Sequence, residues 1–331
     1  MNGAKLRCPN RSGRHKLASF VWNRGSPAAT SRRTTIDAAP DFENALPFEV
    51  VAPAEQRIPF VFNSPHSGRV YPTAFLEASK LDERTLRRSE DTFVDELFAS
   101  VVPLGAPLMR AHFPRAWLDV NREPYELDPR MFEGDLPPYA NIRSLRVAGG
   151  LGTIARVVSE NVEIYAEPMP VAEALLRIET IYKPYHERLR QTLATTHERF
   201  GYCVLVDCHS MPSTVRTLPG RARADIVLGD RYGTSCATEI SEAAYALLTD
   251  AGYAVARNKP YAGGFITEHY GRPGRGLHAL QIEINRGLYM NERTLQPNAG
   301  YDRLAADLAN FAAALSSLPD APFYPLAEAA E

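Results

Sequence analysis

In the stretch LVDCHSMPS an aspartate, a cysteine and a histidine (Asp207, Cys208, His209) follow one another directly after an apolar run, and Pro212 stops any regular continuation. Three readings fit that order: a metal ligand, a cysteine nucleophile beside its base, or a strand running into a turn. Adjacent residues on a strand point to opposite faces, so Cys208 and His209 make no dyad, and a buried free cysteine usually behaves as a small apolar residue. His209 is therefore the candidate ligand. On a regular strand Asp207 shares its face, where carboxylates orient metal-bound imidazoles.

Other polar residues occupy comparable positions. His66 closes FVFNSPHSG, Arg115 opens RAWLDVNREP while Asn121 and Arg122 close its apolar run, and Glu283 interrupts LQIEI. In α/β sheets ligands bind beyond the carboxyl ends of strands. A hydrolytic zinc site typically takes three protein ligands from His, Asp and Glu and leaves a fourth position for water. His66, Asp91 and His209 could supply the three, with Glu283 as general base and Arg122 stabilising an oxyanion. Spacing alone leaves plainer readings open: histidines hydrogen-bonded at strand ends, and Asp91 as a solvated helix residue paired with Arg87 or Arg88. Glu283, set between Ile282 and Ile284, resists such a reading because a buried acid needs a partner or a role. In NKPYAGGFITEHYGRPGRG, Gly263 and Gly264 permit close backbone approach to a ligand, and Thr267, His269 and Arg272 offer polar contacts. A glycine-rich hairpin without a ligand is the alternative, and the glycines follow neither a P-loop nor a dinucleotide pattern.

The elements that must position these residues are legible from periodicity. Strands are predicted at PFEVVAP, Pro59 to Phe62, Ala116 to Val120, YCVLVDCHS, ADIVLGD, YAVARNKPY and GLHALQIEINRGLY. Helical spacing marks Leu81 to Val101, placing Asp91 and Asp95 on one face. It also marks Val171 to Phe200 with a kink at Pro184, TSCATEISEAAYALLTDAGY, and AGYDRLAADLANFAAALSS. Residues 126–152, heavy in Pro, Gly and Asp, read as long surface loops. This alternation predicts an α/β fold with a mixed, largely parallel sheet covered by helices on both faces. We expect a basic, disordered tail over 1–45, one catalytic domain over 46–320, and a short tail over 321–331. A formal net charge of -2 gives no reason to expect a nucleic-acid partner. Four cysteines without a CxxC pair argue against a disulfide framework and fit a cytoplasmic protein. No apolar run approaches the roughly 18 residues of a membrane span, which leaves a small molecule as the expected partner.

Six blocks, NSPHSG, EDTFVDELF, RAWLDVNREP, VDCHSMPS, AGGFITEHYGRP and LQIEINRGLYM, in this order from about Pro59 to Met290, resemble the N-formylglutamate amidohydrolase family. The resemblance implies a zinc-dependent hydrolase with a phosphorylase/hydrolase-like fold related to zinc carboxypeptidases and aspartoacylase. It implies cleavage of N-formyl-L-glutamate to formate and L-glutamate, a step of histidine degradation. One zinc per chain would lie on His66, Asp91 and His209, with Glu283 as base and Asn121 and Arg122 gripping a carboxylate or polarising a carbonyl. Arg69 stands three residues after His66, so the carboxypeptidase HxxE pair is absent and Glu90 is an alternative to Asp91. Two substrate carboxylates would require fixed cations, for which Arg115, Arg143 and Arg286 are the candidates. Met211 and Pro212 stand where the histidine-degrading enzymes would be expected to begin an arginine-rich segment, which leaves another N-acyl or formimino amino acid open. A non-catalytic protein binding an amino-acid-like ligand on the same fold is the second reading. Oligomeric state is not legible in these blocks.

Overall fold

Seven apolar runs form one sheet in the computed structural model, which describes residues 46–159, 162–215, 223–319 and 323–325. They are β1 (Phe48–Val51), β2 (Phe60–Ser64), β3 (Leu108–Ala111), β4 (Cys203–Met211), β5 (Ile226–Gly229), β6 (Val255–Arg257) and β7 (Leu277–Asn285). Their order is β1-β3-β2-β4-β7-β5-β6. β3, β2, β4 and β7 run parallel, as do β5 and β6 with each other, while β1 against β3 and β5 against β7 are antiparallel. The expected mixed, largely parallel sheet is the one observed. The central pair, β4 and β7, is in register over nine residues each, from Cys203 opposite Leu277 to Met211 opposite Asn285.

Period-two alternation divides the core into two layers. Phe60, Phe62, Val204, Val206, Cys208, Leu280, Ile282 and Ile284 enter one cluster, which includes Ile240 and Ala244 of α3 (Thr238–Asp250) and Leu304, Leu308 and Phe311 of α5 (Tyr301–Leu315). Val61, Leu205 and Ala279 enter the other, with Ile178 and residues of α2 (Lys183–Phe200) such as Tyr185 and Leu189. On this second face the strands change character towards their carboxyl ends. Val61 gives way to Asn63, Leu205 to Asp207 and His209, and Ala279 to Gln281 and Glu283, all still buried. A sheet face that carries core at one end and charge at the other is where site residues belong.

Four local expectations need correction. Leu81 to Val101 is not one helix: helical turns at Glu83–Leu86, Arg87–Ser89 and Val94–Leu97 are separated by an extended Glu90 and a left-handed Phe93 (φ 67°), so Asp91 and Asp95 do not share a helix face. Ala116 to Val120 is buried but unpaired with the sheet; the backbone N–H groups of Trp117 and Leu118 donate to the Pro114 carbonyl, curling the run into a turn. The glycine-rich segment contains α4 (Phe265–Tyr270). Phe323, expected in a tail, is buried against Tyr202, and its carbonyl bonds His278 Nε2 at 2.9 Å. Residues 1–45 lie outside the described residues. At Pro184 the chain absorbs the missing N–H through a π-helical turn, Ile178–Tyr182, linking α1 (Val171–Arg177) to α2. Among the described residues no helix is long and apolar enough to cross a membrane.

Candidate active site

Three loops and strands converge above the polar ends of β2, β4 and β7. His66 lies in the turn two residues beyond β2, where Gly68 packs so closely that an added Cβ would sit 2.0 Å from the Phe113 carbonyl oxygen. The His66 carbonyl accepts from the Asp91 N–H at 3.0 Å, joining that turn to the break in the Leu81 to Val101 segment. His209 comes from β4, and Glu283 stands directly opposite it on β7.

His66, Asp91 and His209 bring one ligand atom each to within 4.8 Å of one another, all buried. Asp91 Oδ2 is 3.0 Å from His209 Nδ1 and 3.4 Å from His66 Nδ1. Two atoms each about 2.0 Å from a tetrahedral ion stand about 3.3 Å apart, so these separations fit a shared cation. His66 Nδ1 is buried without a hydrogen-bond partner, an arrangement that costs free energy unless something accepts its lone pair. The opposite ring nitrogens are both occupied: His66 Nε2 lies 2.7 Å from Asp119 Oδ1, and His209 Nε2 lies 2.9 Å from Asp207 Oδ2. A proton on each Nε2 leaves both Nδ1 lone pairs aimed at the same point, the orientation carboxylates impose on metal-binding histidines.

The surrounding charges are fixed by their own partners. Asp91 Oδ1 accepts from Arg286 Nη2 (3.0 Å) and Ser210 Oγ (3.1 Å), which leaves Oδ2 for the centre. Burial would raise the Asp91 carboxyl, but the His209 imidazole at 3.0 Å and the His66 imidazole facing it at 3.4 Å hold it well below the usual carboxylate range. Burial would depress His209, yet the Asp207 and Asp91 carboxylates hold it well above the ordinary histidine value. Asp119, despite burial, is held well below the usual range by Arg122, His66 and Arg115. Glu283 goes the other way: burial pushes it up to about 8, opposed by His209 and reinforced by Asp91. A divalent cation nearby would favour its charged form.

Several expected contacts turn out to brace the site. Gln281 Nε2 donates to Glu283 Oε1 at 2.9 Å, and Gln281 Oε1 accepts from the Gly264 N–H at 2.7 Å, with the Thr267 hydroxyl 3.5 Å away. Asn121 Oδ1 accepts from the Ile266 N–H, and its Nδ2 donates to Asp207 Oδ2 (3.4 Å), the carboxylate oxygen that also accepts from His209 Nε2. Gly264 packs on this amide; a Cβ there would meet it at 2.4 Å. Gly263, at φ 118°, accepts from Arg231. Arg286 is held through all three nitrogens, since Nε also bonds Ser210 and Nη1 the Arg88 carbonyl, and each Nη keeps a second hydrogen. Arg122 bonds the Leu151 and Asn121 carbonyls and lies 3.5 Å from Asp119. Arg115 Nη2 meets Asp119 Oδ2 at 2.7 Å, and its charge bears on both Asp91 and Glu283.

Two expected residues are not brought to this cluster. Arg143 is exposed in an irregular loop, and His269 is exposed on α4 and stacks on Phe265. Glu90, the alternative ligand, is bonded to Tyr71, Arg87 and Thr92 instead. Cys208 points into the opposite core layer, where burial pushes its thiol well up. Sequence reasoning passed over Asp119 and Gln281, each a polar residue inside an apolar run, which is the signal that marked Glu283.

The family described as N-formylglutamate amidohydrolase matches residues 58–290, a span that holds every residue of this cluster. The chain belongs to that family. The N-formylglutamate deformylase of Pseudomonas putida is 30% identical over 239 residues, covering 71% of this chain and 83% of that protein. The deformylase of Pseudomonas aeruginosa is 30% identical over 249 residues, 74% of this chain and 87% of the relative. The crystal structure of N-formylglutamate amidohydrolase from Ralstonia eutropha superposes with a TM-score of 0.77 at 36% identity, covering 82% of this chain and 97% of that one. The amidohydrolase family therefore accounts for the sheet, the order of the motifs and the buried polar cluster together.

Proposed function

We propose that this amidohydrolase is a zinc-dependent enzyme that hydrolyses N-formyl-L-glutamate to formate and L-glutamate, acting in the cytoplasm in histidine degradation. The observation that carries the metal reading is the buried, unpartnered His66 Nδ1 facing Asp91 Oδ2 and His209 Nδ1. Zinc held there would supply Lewis acidity to the formyl carbonyl and acidify the attacking water. The named substrate of the Pseudomonas relatives supports the choice of acyl group.

The chain's own residues then have distinct tasks. Glu283 takes a proton from the attacking water as its oxygen bonds to the formyl carbon, and later delivers that proton to the departing amine nitrogen as the C–N bond breaks. Arg122 and Arg115 present positive charge on the Asp119 side of the cluster, where an oxyanion or a substrate carboxylate would be stabilised. Gln281 holds the Glu283 carboxylate in place. The test is a substrate panel of N-formyl, N-acetyl and formimino amino acids assayed with Glu283→Gln as control. Turnover of N-formylglutamate far above the others supports the reading; binding without turnover of any member would favour a non-catalytic binding protein.

A further inference from the structure

A second charged feature lies beyond Arg286. A cavity of about 690 Å³ is walled by five arginines, Arg84, Arg87 and Arg88 from the helical turns before Asp91, Arg286 after β7, and Arg293, against two glutamates, Glu90 and Glu292. None of the triad, nor Glu283, Arg115 or Arg122, lines it. Arg87 is neutralised by Glu90 at 3.1 Å and Arg286 by Asp91 at 3.0 Å. Among the described residues, the guanidinium groups of Arg84, Arg88 and Arg293 meet no carboxylate; Arg84 donates to the Arg293 carbonyl and so ties the two walls together. Arg84 and Arg88 stand four apart on one short helical stretch, a spacing at which like charges repel. An excess of guanidinium charge, five arginines against Glu90 and Glu292, around a volume of small-molecule size is the chemistry of polyatomic anion recognition. Met290, Leu295 and Val158 add apolar wall for a carbon body.

We propose that this cavity binds a small dianion, a phosphate monoester or a dicarboxylate, apart from the reacting substrate, and that its occupant draws on Arg286. The Arg286 side chain, in the cavity wall, bonds Asp91 of the triad, so an anion sharing its guanidinium loosens the hold on Asp91 Oδ1. Arg286 is thus a positioning residue between two sites.

The purified, metal-loaded protein is titrated calorimetrically with glycerol 3-phosphate in one arm and glutarate in the other, for wild type and Arg88→Ala/Arg293→Ala. One saturable site per chain for either anion, weakened at least tenfold in a variant with unchanged melting temperature and metal content, is the expected result; the arm that binds names the class. No saturable heat at millimolar anion, or equal binding in the variant, overturns the site. This titration does not depend on the proposed amidohydrolase activity. The coupling does rest on the metal reading, and it predicts that the bound anion speeds metal release to a chromophoric chelator. Release at the same rate with and without anion, or inhibition that is purely competitive with substrate, overturns it.

Discussion

β4 and the Glu90 to Leu97 segment deliver their residues to the same point by opposite means. β4 does it by regularity: nine paired residues alternate between faces, so His209 and Asp207 share one side while Cys208 is buried in the other layer. The segment around Asp91 does it by interruption: a helical run breaks at Glu90, turns through the left-handed Phe93 and resumes at Val94, and the break aims Asp91 inward. A site can therefore be encoded in a pattern or in a departure from one. Only the first is visible to periodicity.

The largest effect should come from the base proposed on the strand. Glu283→Gln is expected to lower kcat by roughly 10²- to 10⁴-fold, as loss of a general base does, while metal content stays at the wild-type level; metal loss in this variant would move Glu283 into the ligand set. Next come the carboxylates behind the imidazoles. Asp119→Asn and Asp207→Asn should each weaken metal binding by about 10- to 100-fold in a chelator competition, and unchanged affinity would make those contacts merely structural.

Stability against pH sharpens the contrast between the two carboxylates at the centre. Glu283 is held up to about 8 in the folded protein without metal, against 4.5 for a free glutamate. Between those values the unfolded chain has lost the proton and the folded chain keeps it, so stability falls as pH rises through that window. Metal-free wild type should lose melting temperature from pH 5 towards 8.5 more steeply than Glu283→Gln. Equal slopes would contradict the buried-acid assignment.

Smaller effects test the scaffold. Gly264→Ala forces a methyl into the Asn121 amide and should cost about 1–3 kcal/mol by thermal or denaturant unfolding. At Phe93 the sign of a comparison matters. In a helix interior glycine is about 1 kcal/mol worse than alanine, whereas a left-handed position prefers glycine by about 1–2 kcal/mol. Phe93→Gly should therefore be more stable than Phe93→Ala, and the reverse order would restore the continuous helix. Cys208→Ala should leave turnover within a few-fold, since its sulfur lies in the core layer away from the site.

Legibility in the sequence follows the same division. The sheet, the long helices, His66, His209 and Glu283 could be read because apolar runs end, or are interrupted, at a polar residue. Asp91 carried no such mark: its neighbours have helical spacing, and only the tertiary bond from its N–H to the His66 carbonyl reveals the break. The roles of Asn121, Gly264 and Thr267 in bracing the site also escaped, because a polar residue near a strand end looks the same whether it meets a ligand or another side chain. Arg286 shows the limit best. It was legible as a cation for a carboxylate, and the carboxylate it holds is Asp91.

The most direct test is the metal content of the purified protein, measured by mass spectrometry alongside N-formylglutamate hydrolysis, before chelation, after chelation and after zinc is restored. The account predicts about one zinc per chain, activity lost with the metal and regained with it, and neither metal nor activity in His209→Ala. Full turnover by metal-free protein would contradict it.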